Sequence, residues 1–100
     1  MQKASWLWGS PVNINVWFYG TFRDLAATRQ RALQLPDGAS LEDLIESLAQ
    51  EYGAEFSDQA SRLDEYFLML NGNYCALSAN RDRPLKNGDV VAFIPIITGG

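Results

Sequence analysis

Histidine is absent from this sequence, and cysteine occurs once, as Cys75. A single cysteine excludes an intramolecular disulfide, and without histidine the chain cannot assemble a thiolate–imidazole metal site or a His-dependent catalytic triad. Cys75 falls in an alternating stretch, so we interpret it as a small apolar residue rather than a redox thiol. The composition therefore predicts no metal site and excludes much of the usual enzyme chemistry.

Long apolar runs and positive charge are also scarce. No apolar run approaches the roughly 18 residues that a membrane span needs, and the N-terminal segment lacks the apolar stretch of a secretory signal. We therefore expect a cytoplasmic protein with no membrane partner. Lys and Arg number 8 against 12 Asp and Glu, a net charge of −4, which disfavours nucleic acid as a partner. Most acidic residues lie between positions 42 and 65, where they either orient a protein partner or merely solvate an exposed surface.

What the sequence does contain is enough for one folded domain. One hundred residues can bury a single modest core. Residues 1–11 show no hydrophobic periodicity and end in Gly9-Ser10-Pro11, so we interpret them as a flexible leader. We expect the folded domain to occupy residues 12–95 and a flexible tail to occupy residues 96–100.

The first two strands are predicted from alternation of apolar and polar residues. Residues 12–19 alternate, with Phe18 toward the core and both Trp17 and Tyr19 on the opposite face. Residues 31–35 form a second strand after a long polar connection, and a proline–glycine turn signal ends them. The two strands are expected to pair as a hairpin.

Three further strands are predicted in the second half of the chain. Residues 66–70 and 74–77 flank the turn Asn71-Gly72-Asn73, which is typical of a hairpin. Residues 90–94 are almost entirely apolar, and this pattern favours a strand in the middle of the sheet.

The main helix is predicted at residues 41–52, where apolar side chains recur at helical spacing. Ser40 is a good N-cap, and Asp43 completes a capping-box-like pair with it. Gly53 is expected to end the helix as a left-handed C-cap.

The order of elements predicts the fold class. Two strands, one helix and three strands are most economically packed as a mixed sheet of four to five strands on one main helix, an α+β domain of the β-grasp (ubiquitin-like) type. A crossover from the second strand to a later parallel strand completes it. Residues 54–65 are expected to be a polar connection with a short helical turn near residues 59–63.

The C-terminal tail is the candidate for chemistry. Pro95 cannot donate to a sheet ladder and is predicted to end the last strand, and five extended residues beyond it can reach roughly 17 Å. Two glycines at the tip leave its carboxylate without neighbouring side chains, so that it can enter a narrow channel. An incidental Gly-Gly end is the alternative. The tail consists of Ile96, Ile97, Thr98, Gly99 and Gly100.

Four segments together resemble the MoaD/ThiS sulfur-carrier family, and within it the small subunit of molybdopterin synthase. FIPIITGG at residues 93–100 is similar to the family pattern F-x-P-x-[VI]-[TSA]-G-G, and PLKNGDVV at residues 84–91 is similar to P-L-x-x-G-D-x-V. FYGTFRDL at residues 18–25 resembles the segment after the family's first strand, and Asn71 matches the hairpin asparagine. The similarity covers residues 12–100.

The resemblance implies a sulfur-carrier cycle with no catalytic side chain on this chain. An adenylating enzyme related to ubiquitin-activating proteins would use ATP and Mg²⁺ to activate Gly100, and this chain itself would bind no cofactor. A sulfur donor, such as a persulfide-bearing desulfurase or a rhodanese, would convert Gly100 to a thiocarboxylate. The large subunit of molybdopterin synthase would then receive that sulfur during molybdenum cofactor biosynthesis.

A partner surface is predicted around the open face of the sheet and the start of the tail. Exposed aromatic residues and methionine in one patch are typical of protein interfaces, although the leader is an alternative cover for Trp17 and Tyr19. The predicted interface residues are Trp17, Tyr19, Met69, Phe93, Ile94 and Pro95.

Other functions remain open on the sequence. A carrier for the thiazole pathway of thiamine synthesis, or for another thiolation, would use the same chemistry. A ubiquitin-like modifier would join Gly100 to lysines of other proteins. A passive β-grasp interaction module would not use Gly99 and Gly100 at all.

Overall fold

The computed structural model describes residues 11–61 and 68–94. The predicted leader, apart from Pro11, and the tail beyond Ile94 lie outside these ranges. No helix within them combines the length and the apolar character needed to cross a membrane. The strands are β1 (Val12–Phe18), β2 (Gln30–Leu35), β3 (Leu68–Leu70), β4 (Asn73–Tyr74) and β5 (Val90–Phe93), and the helices are α1 (Thr21–Ala26), α2 (Leu41–Tyr52), α3 (Ala54–Ser61) and α4 (Leu77–Asn80).

The sheet is mixed and has the order β2-β1-β5-β3-β4. β1 pairs with β5 in parallel, whereas the other neighbouring strands are antiparallel. β2 and β3 consequently run in the same direction, so the helical segment between them crosses from one strand to a later parallel strand, as predicted. The predicted β-grasp fold is confirmed, and apolar β5 lies in the middle of the sheet.

The core lies between one face of the sheet and α2. Ser40 caps α2 with a complete capping box, in which its hydroxyl accepts from the Asp43 N–H at 3.1 Å and the Asp43 carboxylate accepts from the Ser40 N–H at 2.9 Å. Apolar residues of α2 recur at helical spacing and share one core with the inward residues of the central strands. The fully buried members from these elements include Ile14, Val16, Phe18, Leu41, Leu44, Leu48, Val91 and Phe93.

The C-cap of α2 differs from the prediction. Gly53 has a positive φ of 103° but a ψ of 167°, which lies outside the left-handed helical region. This extended, positive-φ conformation is accessible essentially to glycine alone. Gly53 therefore redirects the chain immediately into α3 rather than closing a left-handed cap.

Three helices, α1, α3 and α4, were not predicted at their observed places, and the first two lie in connections that were expected to be polar. α1 occupies the connection expected to be polar and irregular, and α3 begins at Ala54, well before the predicted turn near residues 59–63. Both helices are short and carry polar side chains, so their periodicity is weak. Each nevertheless places a phenylalanine, Phe22 or Phe56, in the core at 1% or less exposure.

The β3–β4 hairpin is shorter than predicted. Residues 66–67 lie outside the described ranges, and β4 ends at Tyr74 instead of continuing to Leu77. Positive φ values at Asn71 and Gly72 fit the tight two-residue turn expected from Asn-Gly. After Cys75 donates its backbone N–H to the Leu68 carbonyl, the chain turns into α4, which buries Leu77 in the core. Cys75 is itself buried, as expected for a small apolar residue.

Candidate partner interface on the open sheet face

The predicted interface residue Pro95 and the predicted tail, residues 96–100 with Gly99 and Gly100 at its tip, lie outside the described ranges. The chain is described as far as Ile94, one residue beyond β5. The Tyr19 N–H donates to the Phe93 carbonyl at 3.1 Å, which holds this end of β5 against the end of β1. The sheet therefore holds the chain in place as far as Phe93.

A row of side chains crosses the open face of the sheet near that point. Trp17 pairs with Ala92, Ala92 pairs with Met69, and Met69 pairs with Tyr74. Directly paired residues project from the same face of a sheet, so the four side chains form one continuous row. Trp17 and Met69 are partly buried, and Tyr74 is 67% exposed.

Two further residues extend this row toward the start of the tail. Tyr19 is 45% exposed and follows inward-facing Phe18, so alternation places it on the side of Trp17. Ile94 is partly exposed and likewise follows an inward residue. We define the open-face patch as Trp17, Tyr19, Met69, Tyr74, Ala92 and Ile94.

Phe93 does not belong to the interface in which it was predicted. Its side chain is 0% exposed and packs with other core rings, with its ring centroid 5.4 Å from those of Phe22 and Phe56. Strand alternation explains the correction, because Ala92 and Ile94 face outward and Phe93 between them must face the core.

Tyr74 was not among the interface residues predicted from the sequence, although it is the more exposed of the two large exposed apolar residues among those described. The sequence of the turn before Tyr74 is enough to predict where this residue lies. A two-residue turn at Asn71-Gly72 places Asn73 opposite Leu70 and Tyr74 opposite Met69. Because Met69 was already predicted to face outward, its cross-strand neighbour Tyr74 could have been assigned to the same surface.

The acidic flank, the segment at residues 42–65 that holds most of the acidic residues, is partly neutralised by contacts within the domain. Arg31 bonds to the Glu51 carboxylate at 2.7 Å and donates to the Tyr52 hydroxyl at 2.9 Å. The pKa of Arg31 is raised above its ordinary value, mainly by the hydrogen bond to Glu51, while burial of the guanidinium acts to lower the pKa. Arg81 similarly bonds to Glu42 at 3.3 Å. These contacts give two of the flank's glutamates a structural role.

Comparison with known proteins decides the family. Residues 16–100 match the ThiS family. The chain belongs to this family. A molybdopterin synthase sulfur carrier subunit from Drosophila yakuba is 32% identical over 92 residues, which cover 92% of this chain and 96% of that protein.

Two solved structures extend the comparison. A putative molybdopterin converting factor subunit 1 from Pyrococcus furiosus has a TM-score of 0.68 and 28% identity, and the match covers 86% of this chain and 99% of that one. A chain from a complex of subunits 1 and 2 of the molybdopterin-converting factor of Helicobacter pylori has a TM-score of 0.55 and 25% identity, covering 89% of this chain and all of that one. The predicted resemblance is thus confirmed.

The family match contains both parts of the candidate site. It includes every residue of the open-face patch and continues through Gly99 and Gly100. Among the described residues no cluster of histidine, cysteine or carboxylate side chains could hold a metal ion. The described surface offers a candidate docking face beside the end of β5.

Proposed function

We propose that this chain is the sulfur-carrying small subunit of a molybdopterin synthase and that the α-carboxylate of Gly100 carries the sulfur. The observation that supports this most directly is the family match through residue 100, since it aligns the Gly-Gly end with the family pattern. The similarity to sulfur carrier subunits over nine-tenths of the chain favours the molybdopterin pathway over other thiolations.

The chemistry requires activation because a carboxylate is a poor electrophile. The Gly100 carboxylate attacks the α-phosphate of ATP in an adenylating enzyme, and pyrophosphate leaves to give an acyl-adenylate. The terminal sulfur of a persulfide then attacks the acyl carbon and displaces AMP. A thiol cleaves the resulting acyl disulfide, which leaves a thiocarboxylate on Gly100. ATP, Mg²⁺, the persulfide and the thiol belong to the partners.

In this proposal the partners bind the folded domain through its open-face patch. The open-face patch lies beside the end of β5, so a protein that covers it also stands where the tail can enter its active site. Partly exposed Trp17, Met69 and Ile94 supply apolar contact area, and Tyr19 and Tyr74 add rings that can also hydrogen-bond. The large subunit of the synthase and the adenylating enzyme would both dock on this face, one after the other.

The decisive test is intact-mass spectrometry after incubation with the cognate adenylating enzyme, Mg²⁺-ATP, a persulfide donor and a thiol reductant. We expect the mass to increase by the difference between a sulfur and an oxygen atom. A variant lacking Gly99 and Gly100 is the control and should keep its fold but gain no sulfur. An unchanged mass of the full chain contradicts the proposal, and isopeptide-linked ladders with other proteins would identify a modifier instead.

A further inference from the structure

A small notch opens beside the open-face patch at the end of β1. Its volume is about 230 Å³. Phe18 donates its backbone N–H to the Arg29 carbonyl at 2.8 Å, so the segment before β2 is held against β1 and forms one side of the notch. The lining residues are Trp17, Phe18, Tyr19, Gly20, Arg23 and Arg29.

The notch combines aromatic walls with two cationic side chains. Gly20 has φ 57° and ψ −128°, a conformation that favours glycine, and there the chain leaves the sheet and enters α1. This turn places Arg23 on the same opening as Arg29, whose segment follows α1. Trp17 and Tyr19, both members of the open-face patch, also line the opening.

The arginines of the notch differ from those at the acidic flank. Arg31 and Arg81 are each paired with a glutamate of the same domain. Among the residues that the structure describes, neither Arg23 nor Arg29 has an ion-pair or side-chain hydrogen-bond partner. The notch is therefore lined by two arginines and by aromatic residues, and none of the residues that line it carries a negative charge.

We propose that this notch receives an acidic side chain, Asp or Glu, from the protein that covers the open-face patch. Guanidinium groups bind carboxylates through short charge-assisted hydrogen bonds, often in bidentate geometry. Water is excluded once a partner lies over Trp17 and Tyr19, and the contact strengthens as the local dielectric falls. The notch then fixes the orientation of the carrier body, and with it the direction in which the tail enters the partner. This assignment rests on the function proposed above.

The test measures the affinity of the full chain for the cognate large subunit of the synthase by calorimetry at several salt concentrations. We expect Arg29→Glu to weaken binding roughly tenfold, as losing and reversing one charge-assisted contact should. Arg23→Glu should act in the same direction. Replacing the matching acidic residue of the large subunit with Lys should restore the affinity of Arg29→Glu.

Arg83→Glu is the matched control. Arg83 is exposed and does not line the notch. Its substitution by Glu changes the net charge by the same amount as Arg29→Glu. Equal losses of affinity for the variants at positions 29 and 83 would indicate general attraction between charged surfaces and would overturn the notch proposal. An unchanged affinity of Arg29→Glu would overturn it as well. Thermal unfolding checks that each variant is folded. If the unsubstituted chain itself fails to bind the large subunit, the proposed function fails first and the notch proposal falls with it.

Discussion

Phe56 lies at the centre of the aromatic cluster that joins the helices to the sheet. Its ring centroid is 5.3 Å from that of Phe22, 5.4 Å from that of Phe93 and 5.7 Å from that of Tyr52. The side chain is 0% exposed, although its segment was expected to be a polar connection. Phe56, the one large apolar residue of α3, thus anchors this helix together with the small buried Ala60, because the ring neighbours of Phe56 come from three other elements.

At the residue scale, we predict that Phe56→Ala lowers the free energy of unfolding by about 3–5 kcal/mol, since it removes buried area and leaves a cavity. Urea denaturation followed by circular dichroism measures the change. Phe56→Leu, the conservative control, should lose clearly less because it refills most of the volume. A loss under about 1 kcal/mol for Phe56→Ala would mean that α3 does not share the core.

The elements differ in how far local sequence determines them. α2 carries a capping box and a full apolar stripe, and it was predicted with its observed bounds. α1 has only six residues, too few for helical structure to be stable without tertiary contacts. α1 and α3 form because the sheet supplies a core for Phe22 and Phe56.

At the element scale, we predict that Ser40→Ala lowers the stability of the domain by about 1 kcal/mol, because the Asp43 N–H loses its acceptor. Ser47→Ala, within the same helix, is the control and should be neutral or slightly stabilising, since alanine has the higher helix propensity. The denaturant midpoint of each variant, compared with that of the unsubstituted chain, measures these changes in stability. Equal midpoints would show that the capping bond contributes nothing measurable.

The molecule places its buried core on one side of the sheet and the open-face patch on the other. The inward side chains of the sheet are buried under α2, whereas the open-face patch remains partly exposed beside the end of β5. Trp17, Met69 and Tyr74 come from three strands, and only the order β1-β5-β3-β4 brings them into one row. We therefore expect substitutions in the open-face patch to leave the stability of the core largely unchanged.

At this scale, we predict that Tyr74→Ala weakens binding of the large subunit by about 1–2 kcal/mol, the usual cost of truncating an aromatic interface residue. Its thermal midpoint should not change, because the side chain is largely exposed. Gln50→Ala on the exposed side of α2 is the control and should bind normally. Unchanged affinity of Tyr74→Ala would place the interface elsewhere.

Much of the fold and part of the site were predictable for physical reasons. Strand alternation separated Trp17 from Phe18 correctly, and the same rule, applied to β5, would have excluded Phe93 from the interface. The turn at Asn71-Gly72 would have identified Tyr74. The notch could not have been predicted, because no local pattern indicates that Arg23 and Arg29 line one opening.

The sequence by itself determined the family, the capped helix α2 and the direction in which most strand residues face. These depend on short-range spacing, on backbone preferences and on motifs that are contiguous in the chain. Tertiary structure decided which distant residues became neighbours: the row from Trp17 to Tyr74, the rings around Phe56, and the two arginines that line the notch. Such contacts depend on strand order and register, which are set by packing the entire core at once.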